Sequence, residues 1–190
     1  MDSQTATSIL IDLWGQEFNQ IEKVYKINTN EAIWKSIEAY YGQSVRFLLQ
    51  CTVETRMIEP KQEDAIKGRG GKPIVNEKAV SKSYHNFMPI LASKGNTEQK
   101  LSDLLCRLDP FQIELLGIMF KREFRHDFAE IIMRRATGGI RDVLLAIYNH
   151  SVNKPMYFAK VLHDVIHKEF NDVLTIQRLL ISRSEVSDRR

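Results

Sequence analysis

An all-α fold is what this sequence predicts, and three observations predict it. Apolar residues recur at helical spacing along nearly the whole chain. The breaks between these stripes carry capping and turn residues, and no alternating β-branched run competes with the helical reading. One apolar pattern also occurs twice: Gly42 is followed by Phe47, Leu48 and Leu49 at the offsets at which Gly138 is followed by Val143, Leu144 and Leu145, and a similar pairing relates Leu101, Leu104, Leu105 to Ile176, Leu179, Leu180. Helical repeats of this kind cannot bury their apolar faces alone, so adjoining copies must stack.

Taken in order, Ile9, Leu10 and Leu13 begin a stripe that Phe18, Ile21, Val24 and Tyr25 continue. Asn28, Thr29 and Asn30 break it and cap the next helix, which carries Ile33, Trp34 and Ile37. After Gly42, the residues Val45, Phe47, Leu48 and Leu49 supply a further apolar face. Residues Thr55 to Pro73, with EPKQEDAIKGRGGKP, are charged, glycine-rich and poor in large apolar side chains, which marks a linker. GRGGK is not a nucleotide-phosphate loop, because Pro73 stands where a magnesium-binding Ser or Thr belongs and no strand precedes it. A single RGG without a wider basic surface and aromatic platforms is no nucleic-acid site either.

Helical periodicity returns from Ile74. Val75 to Ser83 is amphipathic, with Pro89 expected to end or kink any helix reaching that far. Asn96 or Thr97 can cap a helix with Leu101, Leu104 and Leu105, and Asp109-Pro110 opens one with Ile113, Leu116 and Phe120. Phe124 and Phe128 bracket the start of a helix containing Ile131 and Ile132, with Thr137-Gly138-Gly139 expected as its glycine terminus. Val143, Leu144 and Ile147 form one stripe, and Phe158, Val161, Leu162, Val165 and Ile166 form the next. Between them runs a short connection, Asn149 to Pro155, whose proline suits a first helical turn. Beyond the charged Lys168 to Asp172, a last stripe comprises Leu174, Ile176, Leu179, Leu180 and Ile181.

With 190 residues, the chain can bury a substantial core. Its net charge of +3 is too small to argue nucleic-acid binding, although a one-sided distribution favours an anionic membrane. No apolar run is long enough to span a bilayer, and MDSQTATSIL lacks the features of a signal peptide, so the expected location is cytoplasmic. Cys51 and Cys106 both lie in apolar contexts and are expected as buried thiols. His163 and His167 stand one helical turn apart without a third ligand, so packing explains them better than zinc. Asp109, Glu114 and Glu123 read as charges on solvated helix faces, and no nucleophile with its base is visible, so no enzyme is expected.

From Thr137 to Val186 the segments TGGIRDVLLAI, NKPMYFAKVL and LLISRSEV follow one another as similar segments do across the third and fourth repeats of annexins. The likeness needs no gap from Tyr157 to Arg183, and with it the chain resembles the annexin family along nearly its whole length. The resemblance implies helical repeats in a right-handed superhelix, truncated at both ends. Residues 1–54 would be the later four helices of one repeat, 55–73 the linker, 74–152 a complete repeat, and 153–190 the first two helices of another. Helices Ser8 to Val24 and Tyr157 to Arg183 would then expose apolar surface, which favours self-association or a protein partner.

The same resemblance implies a peripheral membrane protein that binds acidic phospholipid through calcium. Glycine-rich loops between the first two helices of a repeat turn carbonyls toward the ion, and a distant carboxylate completes its oxygen shell. The complete repeat keeps Gly95, followed by Asn96, as a degenerate version of that loop, but the carboxylate position, three residues before Gly138, is Arg135. The equivalent acid in the preceding repeat is Ala39, with Glu38 turned away by one helical residue. The last loop, Lys168-Glu169-Phe170-Asn171-Asp172, has lost its glycines. Calcium is therefore expected to bind weakly or not at all. Lys94, Arg134, Arg135 and Lys168 are the lipid-binding candidates in its place, with a calcium-independent interaction scaffold as the alternative.

Overall fold

The computed structural model describes residues 10, 16–29, 32–57, 77–92, 95, 97–167 and 176–177. Its helices are α1 (Gln16–Thr29), α2 (Ile33–Tyr41), α3 (Gln43–Met57), α4 (Glu77–Ala92), α5 (Thr97–Cys106), α6 (Pro110–Phe124), α7 (Phe128–Arg135), α8 (Gly138–Val152) and α9 (Lys154–Ile166). No strand occurs among the described residues. The all-α class read from periodicity is the class observed.

Helix boundaries follow local chemistry. Asp109 caps α6 by accepting from the backbone N–H groups of Phe111 and Gln112, each at 2.9 Å, while Gln112 Oε1 accepts from Asp109 N–H at 3.1 Å. This reciprocal box satisfies donors that every helix start leaves open. Asp127 and Glu130 repeat the device at α7. Asn153 caps α9 through Met156 N–H at 3.0 Å, with Pro155 in the first turn as its fixed φ favours. Gly42, at φ +85°, joins α2 to α3 in a conformation that side chains resist.

Several expectations need correction. Pro89 does not stop α4, which runs on to Ala92: the proline lies near the helix end, where few further backbone bonds depend on it. Thr137-Gly138-Gly139 is not the terminus of α7, whose cap is the extended Ala136; Gly138, at φ +53°, instead begins α8 after an extended Thr137. The connection placed at Asn149 to Pro155 shrinks to Asn153, because α8 continues to Val152. Helix α3 runs past Thr55 to Met57, and residues 58–76 lie outside the described ones. Phe47 leaves the apolar face assigned to it and is 47% exposed. Asp109 and Glu123 are not idle surface charges: the first caps α6, and the second accepts the Tyr84 hydroxyl at 2.5 Å. Burial and that bond push the Tyr84 phenol well above its ordinary range. Ile9, Leu13, Leu174 and Leu179 to Ile181 fall outside the described residues.

The core is built around α8, which packs against α3, α5, α6, α7 and α9. Val143, Leu144, Ala146, Ile147, Tyr148 and His150 are its buried residues. Leu48 of α3, Leu101 and Leu105 of α5, Ile113 and Leu116 of α6 and Ile132 of α7 have no exposed surface at all. Truncating any one of them to Ala should cost about 2–5 kcal/mol. Gly117 lets α6 approach α8 closely: a Cβ there would stand 2.7 Å from the Tyr148 hydroxyl. The Tyr148 phenol is itself pushed up by burial, reinforced by the Asp127 carboxylate.

Cys51 and Cys106 are not thiols. They form a disulfide between α3 and α5, with Cα atoms 5.4 Å apart, inside the usual range for a bridge. Packing of α3 on α5 brings two apolar positions 55 residues apart in sequence to one point, which spacing alone does not reveal. Closing so long a loop should stabilise the fold by about 2–4 kcal/mol. Urea unfolding with and without reductant should therefore show a lower midpoint in reductant, with no free thiol in the untreated protein; equal midpoints would contradict the bridge.

Candidate functional site

The loop end of the molecule is assembled by one carboxylate. Glu98, in the first turn of α5, accepts from Thr137 N–H at 2.8 Å and from Thr137 Oγ1 at 3.2 Å. Thr137 has no side-chain cap bond of its own to offer α8, so Glu98 reaches across the bundle to supply the acceptor. A carboxylate at a helix N-terminus also opposes the positive end of the helix dipole. Gly95 lies three residues before Glu98, and Arg135 two residues before Thr137. The clamp thus draws the α4–α5 loop and the α7–α8 junction to the same end.

The structure places Gly95, Arg134 and Arg135 among the candidates. Gly95 is exposed, with open space where a Cβ would lie. Arg134 and Arg135 occupy the last turn of α7, where cations suit the helix dipole, and both are exposed. Arg134 also lies 3.6 Å from Glu130, a one-turn pair that also has His126 at 3.4 Å. Pairs this exposed contribute little to stability, so the guanidinium remains at the surface. Lys94, Asn96 and Lys168 lie outside the described residues. In the earlier segment Ala39 is exposed, and its neighbour Glu38 is paired with Arg46 at 3.0 Å.

The two helical histidines do not make a metal clamp. Their rings stack with centroids 4.1 Å apart, and His167 Nδ1 bonds to the His163 carbonyl at 2.9 Å, so they present faces to one another instead of converging nitrogens. Among the described residues no three His, Cys, Asp or Glu side chains gather as a metal site, and no helix is long and apolar enough to cross a membrane.

The clamp itself was missed in the sequence. Its only signal is an acid directly after a Thr at a helix start, and its partner stands 39 residues away. A second arrangement was missed as well: a groove between α4 and α6, with a volume of about 680 Å³, carrying basic residues on α4 and apolar ones on α6.

No family model matches the chain. Among curated proteins, Annexin B22 of Schistosoma mansoni is 25% identical over 126 residues, 66% of this chain and 34% of that protein. Annexin A3 of Homo sapiens is 30% identical over 92 residues, 48% of this chain and 28% of that protein. Among solved structures, annexin III superposes with a TM-score of 0.78 at 22% identity, covering 94% of this chain and 52% of that one. The structure of a calcium-bound annexin, (Sm)1, superposes with a TM-score of 0.76 at 20% identity, covering 96% and 53%. The match thus spans about a third of the curated relatives and half of the solved chains.

Replacing Glu98 with Ala removes the acceptor for Thr137 and should lower stability by about 1–2 kcal/mol. A urea midpoint unchanged from wild type would show that the clamp holds nothing together.

Proposed function

From the premise that this chain belongs to the annexin family, we propose that it is a peripheral membrane-binding protein that attaches to acidic phospholipid by cationic side chains, without a family-type calcium ion. Calcium-dependent phospholipid binding is the family's activity; for this chain, which spans only part of its relatives, attachment is our reading.

The observation that carries it is Arg135. A calcium ion at the loop needs a shell of hard oxygens, and a guanidinium at the carboxylate position adds positive charge where the ion would sit. Glu98, the nearest acid on α5, already accepts from both donors of Thr137. The residues present do not fit the ion. They suit an anionic surface: Arg134 and Arg135 are exposed side by side at the end of α7, and the loop sequence adds Lys94. Each base held near acidic lipid contributes about 1 kcal/mol, and several together give salt-sensitive attachment. In this reading no bond is made or broken, so the role is not enzymatic.

A second reading, an interaction scaffold, is favoured by α1. Ile21, Val24 and Ile27 are 40%, 56% and 72% exposed at one-turn intervals on that helix, an apolar stripe open to a partner or a second copy.

Sedimentation with phosphatidylserine vesicles in the presence of chelator distinguishes the two. The membrane reading predicts pelleting at low salt that weakens at high salt and falls at least tenfold in affinity in the double variant R134E/R135E. Pelleting only with calcium would overturn it, and no pelleting under any condition would leave the α1 stripe as the functional surface.

A further inference from the structure

The groove between α4 and α6 is a second surface, apart from the loop end. Lys82 of α4 stands ten residues before Ala92, about 15 Å along the helix axis from the loop. Lys78, Lys82 and His85 form its basic wall, at one-turn spacing on a single face of α4. The opposing wall is the α6 stripe Leu115, Ile118 and Met119, closed at one end by Arg122. Ile118 is 58% exposed, although its neighbours on that face are partly buried. A large aliphatic side chain is thus held open to water between cations.

Three features together indicate a ligand. Among the described residues no acid lines the groove, and Lys78, Lys82 and Arg122 concentrate positive charge along it. The adjacent acid on α6, Glu123, is turned to the Tyr84 hydroxyl. His85 is oriented by its own helix: Nδ1 bonds to the Ser81 carbonyl at 2.7 Å, which makes Nδ1 the donor and leaves Nε2 for other contacts. The volume of about 680 Å³ lies within the range of ligand pockets.

The lining is lopsided, and that asymmetry selects the occupant. A docked amphipathic helix lays its apolar face into a groove with apolar walls on both sides. Among the described residues the α4 wall is polar and the α6 wall apolar, which matches a slender molecule with an anionic head and a hydrocarbon tail. We propose that this groove binds a single-chain anionic amphiphile, with a phosphate or carboxylate head held by Lys82 and Arg122 and the tail laid over Leu115, Ile118 and Met119. Long basic side chains favour this, since their methylene stems cover the tail while their heads reach the anion.

Calorimetric titration of the full chain with dodecyl phosphate, below its micellar concentration, tests the proposal. One-to-one binding is expected, weakened at least tenfold in K82E/R122E and at least tenfold in I118S, and unchanged in R134E/R135E. All these side chains are exposed, and far-UV circular dichroism checks that each variant is folded. Inorganic phosphate and the neutral dodecyl maltoside should each bind at least tenfold more weakly than dodecyl phosphate. Equal binding of phosphate alone, equal binding of the neutral detergent, or undiminished affinity in K82E/R122E would overturn the proposal, as would binding of an acidic amphipathic peptide with none of dodecyl phosphate. Because R134E/R135E acts only at the loop end, failure here and failure of vesicle attachment are separately visible.

Discussion

Everything in this structure depends on the burial of α8. Helices α3, α5, α6, α7 and α9 all pack on it, so it has no face that could sustain charge over its middle turns. Each large apolar side chain removed from water there contributes about 1.5–3 kcal/mol, several times the worth of any exposed ion pair in the molecule. The close approaches around α8 follow from the same demand. Gly117 admits the Tyr148 ring, and Gly139 leaves only enough room for Val45, 3.3 Å from where a Cβ would lie.

A helix with most of its middle turns buried must still satisfy its ends, and that requirement organises the loop end of the molecule. Thr137 enters α8 with its donors met from α5 by Glu98, so a bond made for stability also fixes the relative position of two loops. Arg134 and Arg135 are then displayed at that end because α7 stops immediately before the clamp. The placement of these cations thus adjoins a structural bond at the same surface. Cys51–Cys106 ties the same α5 to α3 from its other end. Helix α5 is held at both termini by contacts to distant segments, which makes it the rigid link between the earlier helices and α8.

Much of this was legible in the sequence, and the part that was not shares one cause. Stripes such as Ile113, Leu116 and Phe120, the helix start at Asp109-Pro110 and Pro155 in its first turn are local signals, and each appears in the structure as read. The annexin resemblance, resting on the continuous segment around α8 and α9, was likewise legible. The disulfide, the Glu98 clamp and the α4–α6 groove each join residues far apart in the chain, and their partners emerge only when the helices cross. Pro89 and Gly138 differ from their sequence reading because both residue types mark helix ends without fixing which side the helix lies on: Pro89 falls just inside the end of α4, and Gly138 starts α8 instead of ending α7. The lipid-binding candidates rest on sequence alone, on their charge and on Arg135 at the position where the family resemblance expects a carboxylate. Lys94, Asn96 and Lys168 lie outside the described residues.

The central claim is that this annexin-like chain meets anionic surfaces without an ion held at its loop. Calorimetric titration of the full chain with calcium, in the absence of lipid, tests it most directly. The account predicts no saturable heat below millimolar calcium, where even weak extracellular calcium modules begin to fill. Saturable binding at micromolar calcium would contradict it, because no arrangement that leaves Arg135 at the carboxylate position could then be the one the protein uses.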